Sequence, residues 1–207
     1  ESPDPLEGTW TGKGRIRTNW EYFTIDGTTF EHRGVRYFVW TQIDPKVEGS
    51  NIYIAKMATP WSIVGRQVEL SRPEFPWEKV KYAVNEGPAV LVRNGRVFIT
   101  YSASATDANY CMGMLTVDAN ADLLDPKSWK KSGKPVFRSD PATSQFGPGH
   151  NSFTTTPDGK TDILVYHARN YEKITGSSLT NPDRATRAQV IHWKSDGTPD
   201  FGTPVAD

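Results

Sequence analysis

Asn85-Glu86-Gly87-Pro88 decides the fold because it has counterparts on either side, Ile25-Asp26-Gly27-Thr28 before it and Gln145-Phe146-Gly147-Pro148 after it. Gly27, Gly87 and Gly147 lie 60 residues apart, and the residues before them are Asp26, Glu86 and Phe146. A glycine that frees the backbone and, in two copies, a proline that fixes φ suit the start of an inner strand and aim the preceding side chain. Copies of one element set about an axis would carry Asp26 and Glu86 to equivalent ends of neighbouring units and into one pocket.

Outward from each phrase the sequence predicts short strands. The first unit has strands at 28–32, 36–41, 51–57 and 65–70, with a turn at Arg33-Gly34. The second has 89–92, 97–102, 110–117 and 135–138, with Asn94-Gly95 between its first two apolar runs, a strong hairpin signal. The third has 151–154, 163–167 and 188–194, after which Asp196-Gly197-Thr198-Pro199 turns the chain into a last short segment. No helical period is present. The pattern is all-β and reads as three four-stranded blades of a β-propeller, over 21–80, 81–140 and 141–207. An open sandwich with evenly spaced strands is the alternative. Residues 1–20, with Trp10 and Ile16 suited to an edge strand, read as the border of a preceding blade. Propellers generally close with about four to eight blades, so the reading calls for a second polypeptide or another copy to complete the ring.

Composition narrows the partners. The 24 basic and 24 acidic side chains cancel, which leaves no net field to gather nucleic acid or an anionic membrane. Seven Trp and eight Tyr suit a β-rich core or a surface that stacks on sugar rings. Cys111 is the one cysteine, so no disulfide forms within the chain and no thiolate metal site is expected. No run reaches the length of a membrane span.

Thr24-Ile25-Asp26-Gly27-Thr28-Thr29-Phe30-Glu31-His32, Asn51-Ile52-Tyr53-Ile54-Ala55, Val84-Asn85-Glu86-Gly87-Pro88-Ala89, Phe146-Gly147-Pro148-Gly149-His150-Asn151-Ser152-Phe153 and Ala185-Thr186-Arg187-Ala188-Gln189 together resemble successive signatures of glycoside hydrolase family 43. The resemblance runs across nearly the whole chain, and within the family it is nearest to exo-acting α-L-arabinofuranosidases. It implies a five-bladed propeller, an inverting hydrolase, a pentose-containing plant polysaccharide or oligosaccharide as substrate, and an extracellular place of work. No organic cofactor is implied.

By that resemblance Glu86 is the general acid, and Asp26 the carboxylate that orients it and keeps its pKa high. A nearby like charge disfavours ionisation, which supplies the physical reason. Read alone, Glu86 is a surface glutamate before a turn and Asp26 an Asp-Gly turn residue. His150 matches a histidine that helps to hold a hydrated cation, usually calcium, in the central channel; a histidine hydrogen-bonded beneath the pocket is the other reading, since calcium prefers oxygen ligands. Arg187 matches an arginine that reaches into the sugar pocket, against a solvated charge beside Arg184. His32, His167 and His192 read as strand residues with local hydrogen bonds, and Trp40, Tyr101 and Tyr166 as core. The family's general base matches nothing in the tail, so the base is expected from outside this chain. A β-xylosidase or bifunctional pentosidase, and a non-catalytic carbohydrate-binding propeller fragment, stand as alternatives.

Overall fold

Alternation of apolar and polar side chains along paired strands, punctuated by turns at positive φ, assembles the chain into antiparallel sheets. The computed structural model describes residues 1–18 and 20–207. The first sheet is an up-and-down run of β1 (Thr24–His32), β2 (Val35–Ile43), β3 (Ser50–Thr59) and β4 (Ser62–Ser71). The second repeats the plan with β5 (Asn85–Arg93), β6 (Arg96–Ala103), β7 (Cys111–Asp118) and β8 (Lys130–Lys131). The third holds β9 (Phe146–Thr155), β10 (Asp162–Arg169) and β11 (Ala185–Val190), and a two-stranded ribbon follows from β12 (His192–Trp193) and β13 (Pro199–Asp200). Two hairpins turn on residues with φ of 52° and 74° (Arg33-Gly34) and of 53° and 70° (Asn94-Gly95), as the right-handed twist of tight hairpins requires. Among the described residues no helix is long and apolar enough to cross a membrane.

The sheets stack face to face. Tyr37, Val39, Ile52 and Ile54 of the first meet Val97, Ile99, Tyr101 and Leu115 of the second. The opposite face of the second sheet, with Leu91, Phe98, Met112 and Met114, meets Leu164, Tyr166 and Ala168 of the third. The remaining face of the first sheet stacks Phe38, Trp40 and Tyr53 on one another and is covered by Ile16 and Trp20 of the tail. Trp40, Tyr101 and Tyr166 are core residues, as expected. In three places an aromatic ring lies on a glycine of a neighbouring strand: Phe38 on Gly27, Tyr101 on Gly113 and Tyr110 on Gly149.

The outer strands depart from expectation. The fourth strand of the second sheet was expected at 135–138; it lies at Lys130–Lys131, while Phe137 makes one isolated bridge to Met112. Pro135 has no N–H to donate, and the Gly133-Lys134-Pro135 bend splits the edge in two. The third sheet has three strands instead of four. The turn at Gly197 (φ 77°) folds the chain back on His192–Trp193 and away from Ala185–Val190. Gln189 stands in for the missing ladder by donating from Nε2 to the carbonyls of Phe201 (2.6 Å) and Thr203 (3.1 Å). Trp10 and Ile16 form no edge strand; Trp10 is exposed and Ile16 packs on the first sheet.

One buried polar network fixes the start of β5. The Glu78 carboxylate, fully buried, accepts from the backbone N–H groups of Glu74 and Phe75, from Asn85 Nδ2 (2.9 Å), from the Tyr101 hydroxyl (2.9 Å) and from Lys131 Nζ. Burial raises its pKa, but the Lys131 hydrogen bond, the two backbone donors and the Lys131 charge outweigh that and hold it below 4.5. Asn85 in turn accepts from Ser71 Oγ at 2.6 Å, so the residue before Glu86 is pegged to both neighbouring strands and to the ion pair.

Glu78→Ala leaves the nearly buried Lys131 ammonium with only the exposed Glu74 carboxylate at 3.8 Å and is expected to cost about 3 kcal/mol in urea unfolding at neutral pH. A carboxylate whose pKa is depressed on folding contributes stability above about 4.5 that is lost as pH falls through the lowered value. The variant should therefore lose less stability than the parent on acidification below pH 4.5.

Candidate functional site

The inner strands β1, β5 and β9 each carry the same irregularity. Ile25 pairs with Thr41 and Thr28 with Val39; Glu86 pairs with Ser102 and Ala89 with Thr100; Gly149 pairs with His167 and Ser152 with Val165. In every case three steps on the inner strand oppose two on its partner, which is a β-bulge. The residue after the first bulge partner is Asp26, Gly87 and His150, at φ of 55°, 56° and 47°. The ladder thus equates Asp26 with Gly87 and His150, and Glu86 with Ile25 and Gly149. Asp26 and Glu86 are not equivalent positions, as the even spacing of the glycines suggests; the structural repeat runs from Asp26 to Gly87 to His150.

The three bulges meet. Gly87 N–H donates to Asp26 Oδ2 at 2.9 Å, and His150 Nε2 lies 3.6 Å from Asp26 Oδ1. A Cβ at Gly87 would stand 3.1 Å from His150 Nδ1, so the middle bulge is a glycine on two counts, its positive φ and its closeness to the imidazole. The backbone N–H of His150 donates to Ser102 Oγ at 2.7 Å, which fixes the third bulge to the second sheet. Asp26 and His150 hold left-handed backbones without glycine, and their side chains converge.

Glu86, one residue before the middle bulge, accepts a 2.6 Å hydrogen bond on Oε1 from the Tyr110 hydroxyl. Burial raises its pKa above the ordinary 4.5, and the like charge of Asp26 raises it further; the Tyr110 hydrogen bond and the positive charges of His150 and Arg184 oppose this without cancelling it. Tyr110 is fully buried, with its ring parallel to that of His167 (centroids 5.6 Å, 9°). Burial, and then the charges of Arg184 and His150, push the His167 imidazole down to about 3, so it stays neutral in ordinary buffers. Neither of its ring nitrogens has a hydrogen-bond partner among the described residues. His167, His150 and Arg184 border an open cleft of about 580 Å³. A half-buried carboxyl of raised pKa, braced by a second carboxylate, can deliver a proton to a ligand oxygen.

The sequence pattern of glycosyl hydrolases family 43 matches residues 1–199. The chain belongs to this family. It is 54% identical over its full length to alpha-L-arabinofuranosidase B of Pyricularia oryzae, and 56% identical over 99% of its length to an extracellular exo-alpha-(1->5)-L-arabinofuranosidase of Streptomyces avermitilis. It spans 43% of the length of each. The crystal structure of an alpha-L-arabinofuranosidase from Lactobacillus brevis superposes with a TM-score of 0.96 at 56% identity, covering all of this chain and 64% of that one.

Within this family 43 chain the expected site residues part company. Asp26, Glu86 and His150 come together as described. Arg187 does not join them: Nη1 donates to the carbonyls of Ala168 (2.8 Å) and Ala185 (2.9 Å), and Nη2 lies 2.8 Å from Asp207. Its register opposite Tyr166 sets it on the face that enters the core between sheets, and the arginine that acts on Glu86 is Arg184. His167 lacks the local hydrogen bonds expected of it, whereas His32 Nε2 meets the Ala119 carbonyl at 2.7 Å. Tyr110 was missed because its reach to Glu86 depends on a loop, Ser104 to Asn109, whose shape has no periodic signal; its one trace is the glycine-rich 147–149 stretch beneath its ring.

At His150, where a hydrated cation is expected, the imidazole is engaged by protein groups. Its two ring nitrogens face Asp26 and the Tyr110 hydroxyl, and no third His, Cys, Asp or Glu among the described residues completes a ligand set.

Gly87→Ala combines a strained φ with a tight 3.1 Å approach to His150, whereas Gly95→Ala meets the strain with nothing within 4 Å. Gly95→Ala is expected to lose about 1 kcal/mol and Gly87→Ala clearly more, read as the difference in their urea unfolding curves.

Proposed function

We propose that this chain carries the acid half of an inverting α-L-arabinofuranosidase that releases terminal arabinofuranosyl residues from arabinan or arabinose-substituted polysaccharides. The observation that carries the reading is Glu86: a carboxyl of raised pKa, one residue from a backbone N–H that binds Asp26, and acted on by His150 and Arg184, which border the cleft. The names of the relatives support the substrate class, and the extracellular relative supports action outside the cell. The stacked antiparallel sheets, with β1, β5 and β9 adjacent, support reading them as successive blades of a five-bladed propeller whose other blades come from outside residues 1–207.

In the forward step the glycosidic oxygen takes the Glu86 proton as its bond to the sugar breaks, and water attacks from the opposite face. Asp26 acts at two points. Its Oδ2 holds Gly87 N–H, which sets the bulge that aims Glu86, and its charge keeps Glu86 protonated toward higher pH. The carboxylate that activates water is assigned to a residue outside this chain, about 6.5–9.5 Å from Glu86 in an inverting site. No step passes through a cation.

Glu86→Gln removes the acid and leaves the shape. In the assembly that supplies the base, hydrolysis of an unactivated arabino-oligosaccharide is expected to fall about 10²–10⁴-fold. Hydrolysis of nitrophenyl arabinofuranoside, whose leaving group needs little protonation, should fall less. Equal rates for the variant and the parent on both substrates would remove Glu86 from the reaction, and a preference for the matching xyloside would move the substrate class. Asp26→Asn keeps an acceptor for Gly87 N–H but removes the charge, so the alkaline limb of the pH–rate profile should move to lower pH.

A further inference from the structure

We propose that Tyr110 is the positioning residue of the acid: its hydroxyl engages Glu86 Oε1 and thereby confines the transferable proton to Oε2. The inference rests on Glu86 acting as the acid.

The hydroxyl contacts Glu86 Oε1 at 2.6 Å and His150 Nδ1 at 3.4 Å, with Ser102 also within reach, and the short contact is the one to the carboxyl. Tyr110 is fully buried, and its own pKa is driven well above 10.0 by burial and then by the Glu86 charge, so it donates throughout the working range. An oxygen that accepts a phenolic proton is a poor place for a second one. When Glu86 is protonated, Oε1 serves as the carbonyl oxygen and Oε2 carries the hydrogen. Oε2 has no hydrogen-bond partner among the described residues, which leaves it for the ligand. In the step itself the O–H bond at Oε2 breaks as the proton passes to the glycosidic oxygen, and the bond from that oxygen to the sugar breaks with its electron pair. Tyr110 keeps its proton throughout.

The ring is held too tightly for the hydroxyl to wander. One neighbour is His167, parallel at 5.6 Å; another is Gly149, where a Cβ would come within 2.5 Å of Tyr110 Cε1. Its backbone N–H donates to the Asp107 carbonyl at 3.1 Å, and Asp107 is itself paired with Lys81. A neutral His167 gives this stack without placing a positive charge behind the phenol.

Tyr110→Phe keeps the ring and removes the hydroxyl. Expected are an unchanged KM, near-parental kcat on nitrophenyl arabinofuranoside, and about a tenfold or greater loss of kcat on an unactivated arabino-oligosaccharide, with the alkaline limb moved to higher pH because a donor to the ionised carboxylate is gone. Equal losses on both substrates with an unmoved limb would overturn the proposal and leave Tyr110 a packing residue. A readout free of catalysis is the titration of ¹³C-labelled Glu86 by NMR, assigned against Glu86→Gln: an upward shift in Tyr110→Phe supports the proposal, and no shift overturns it. Should Glu86 prove not to be the acid, the Glu86→Gln assay reports that separately. In the parent protein, the infrared carbonyl stretch of protonated Glu86 should lie at the frequency of a hydrogen-bonded carbonyl; a free-carbonyl frequency would overturn the proposal even if the variant does not fold.

Discussion

Three left-handed residues, Asp26, Gly87 and His150, form the constraint on which the rest of the site depends. A bulge gives each inner strand one residue that the ladder cannot use, and that residue's backbone and side chain become available to the neighbouring sheet. The first sheet uses the opportunity for a carboxylate, the second for a bare N–H, and the third for an imidazole. The 2.9 Å bond from Gly87 to Asp26 follows directly.

Such a site needs a rigid floor, and the floor is ionic. Glu78 is fully buried with five donors around it, and the Lys131 ammonium that balances it also sits over the Phe75 and Tyr101 rings. A charge placed so deep is tolerable only when every lone pair is met, which ties the loop before β5, the edge strand β8 and the centre of β6 into one unit. Asn85 transmits that fixity to the next residue, Glu86. The acid is therefore anchored from behind by charged and amide groups and from the side by Asp26.

Much of the fold was legible because period-two alternation and Asn94-Gly95 are local signals. The strands from 36–41 to 110–117 fall where the pattern put them, within a few residues. The outer strands were less legible: β8 and the β12–β13 ribbon depend on which segment happens to lie alongside, a matter decided by Pro135 and by the Gly197 turn. Glu86, Asp26 and His150 could be named from short phrases, yet their relation was misjudged by one position, since an inserted residue keeps sequence spacing even while it shifts the ladder. Tyr110 and His167 were illegible for a different reason. Their contact joins separate sheets through ring faces, and no pattern within either strand records it. Arg184 and Arg187 differ by three positions on the approach to and along one strand, and only pairing opposite Tyr166 tells which enters the core.

The rings that lie on glycines carry a consequence for how such a chain can change. Phe38 on Gly27, Tyr101 on Gly113 and Tyr110 on Gly149 are each one half of a pair whose other half is the absence of a side chain. Substitution at the glycine is blocked while the ring is there, and loss of the ring leaves a slot that only a new side chain at the glycine can fill. Neither half can drift alone. In a lineage that descends from this sequence, positions 110 and 149 should be inherited as a single character, so the identity of residue 149 would report whether the tyrosine above it is still in place.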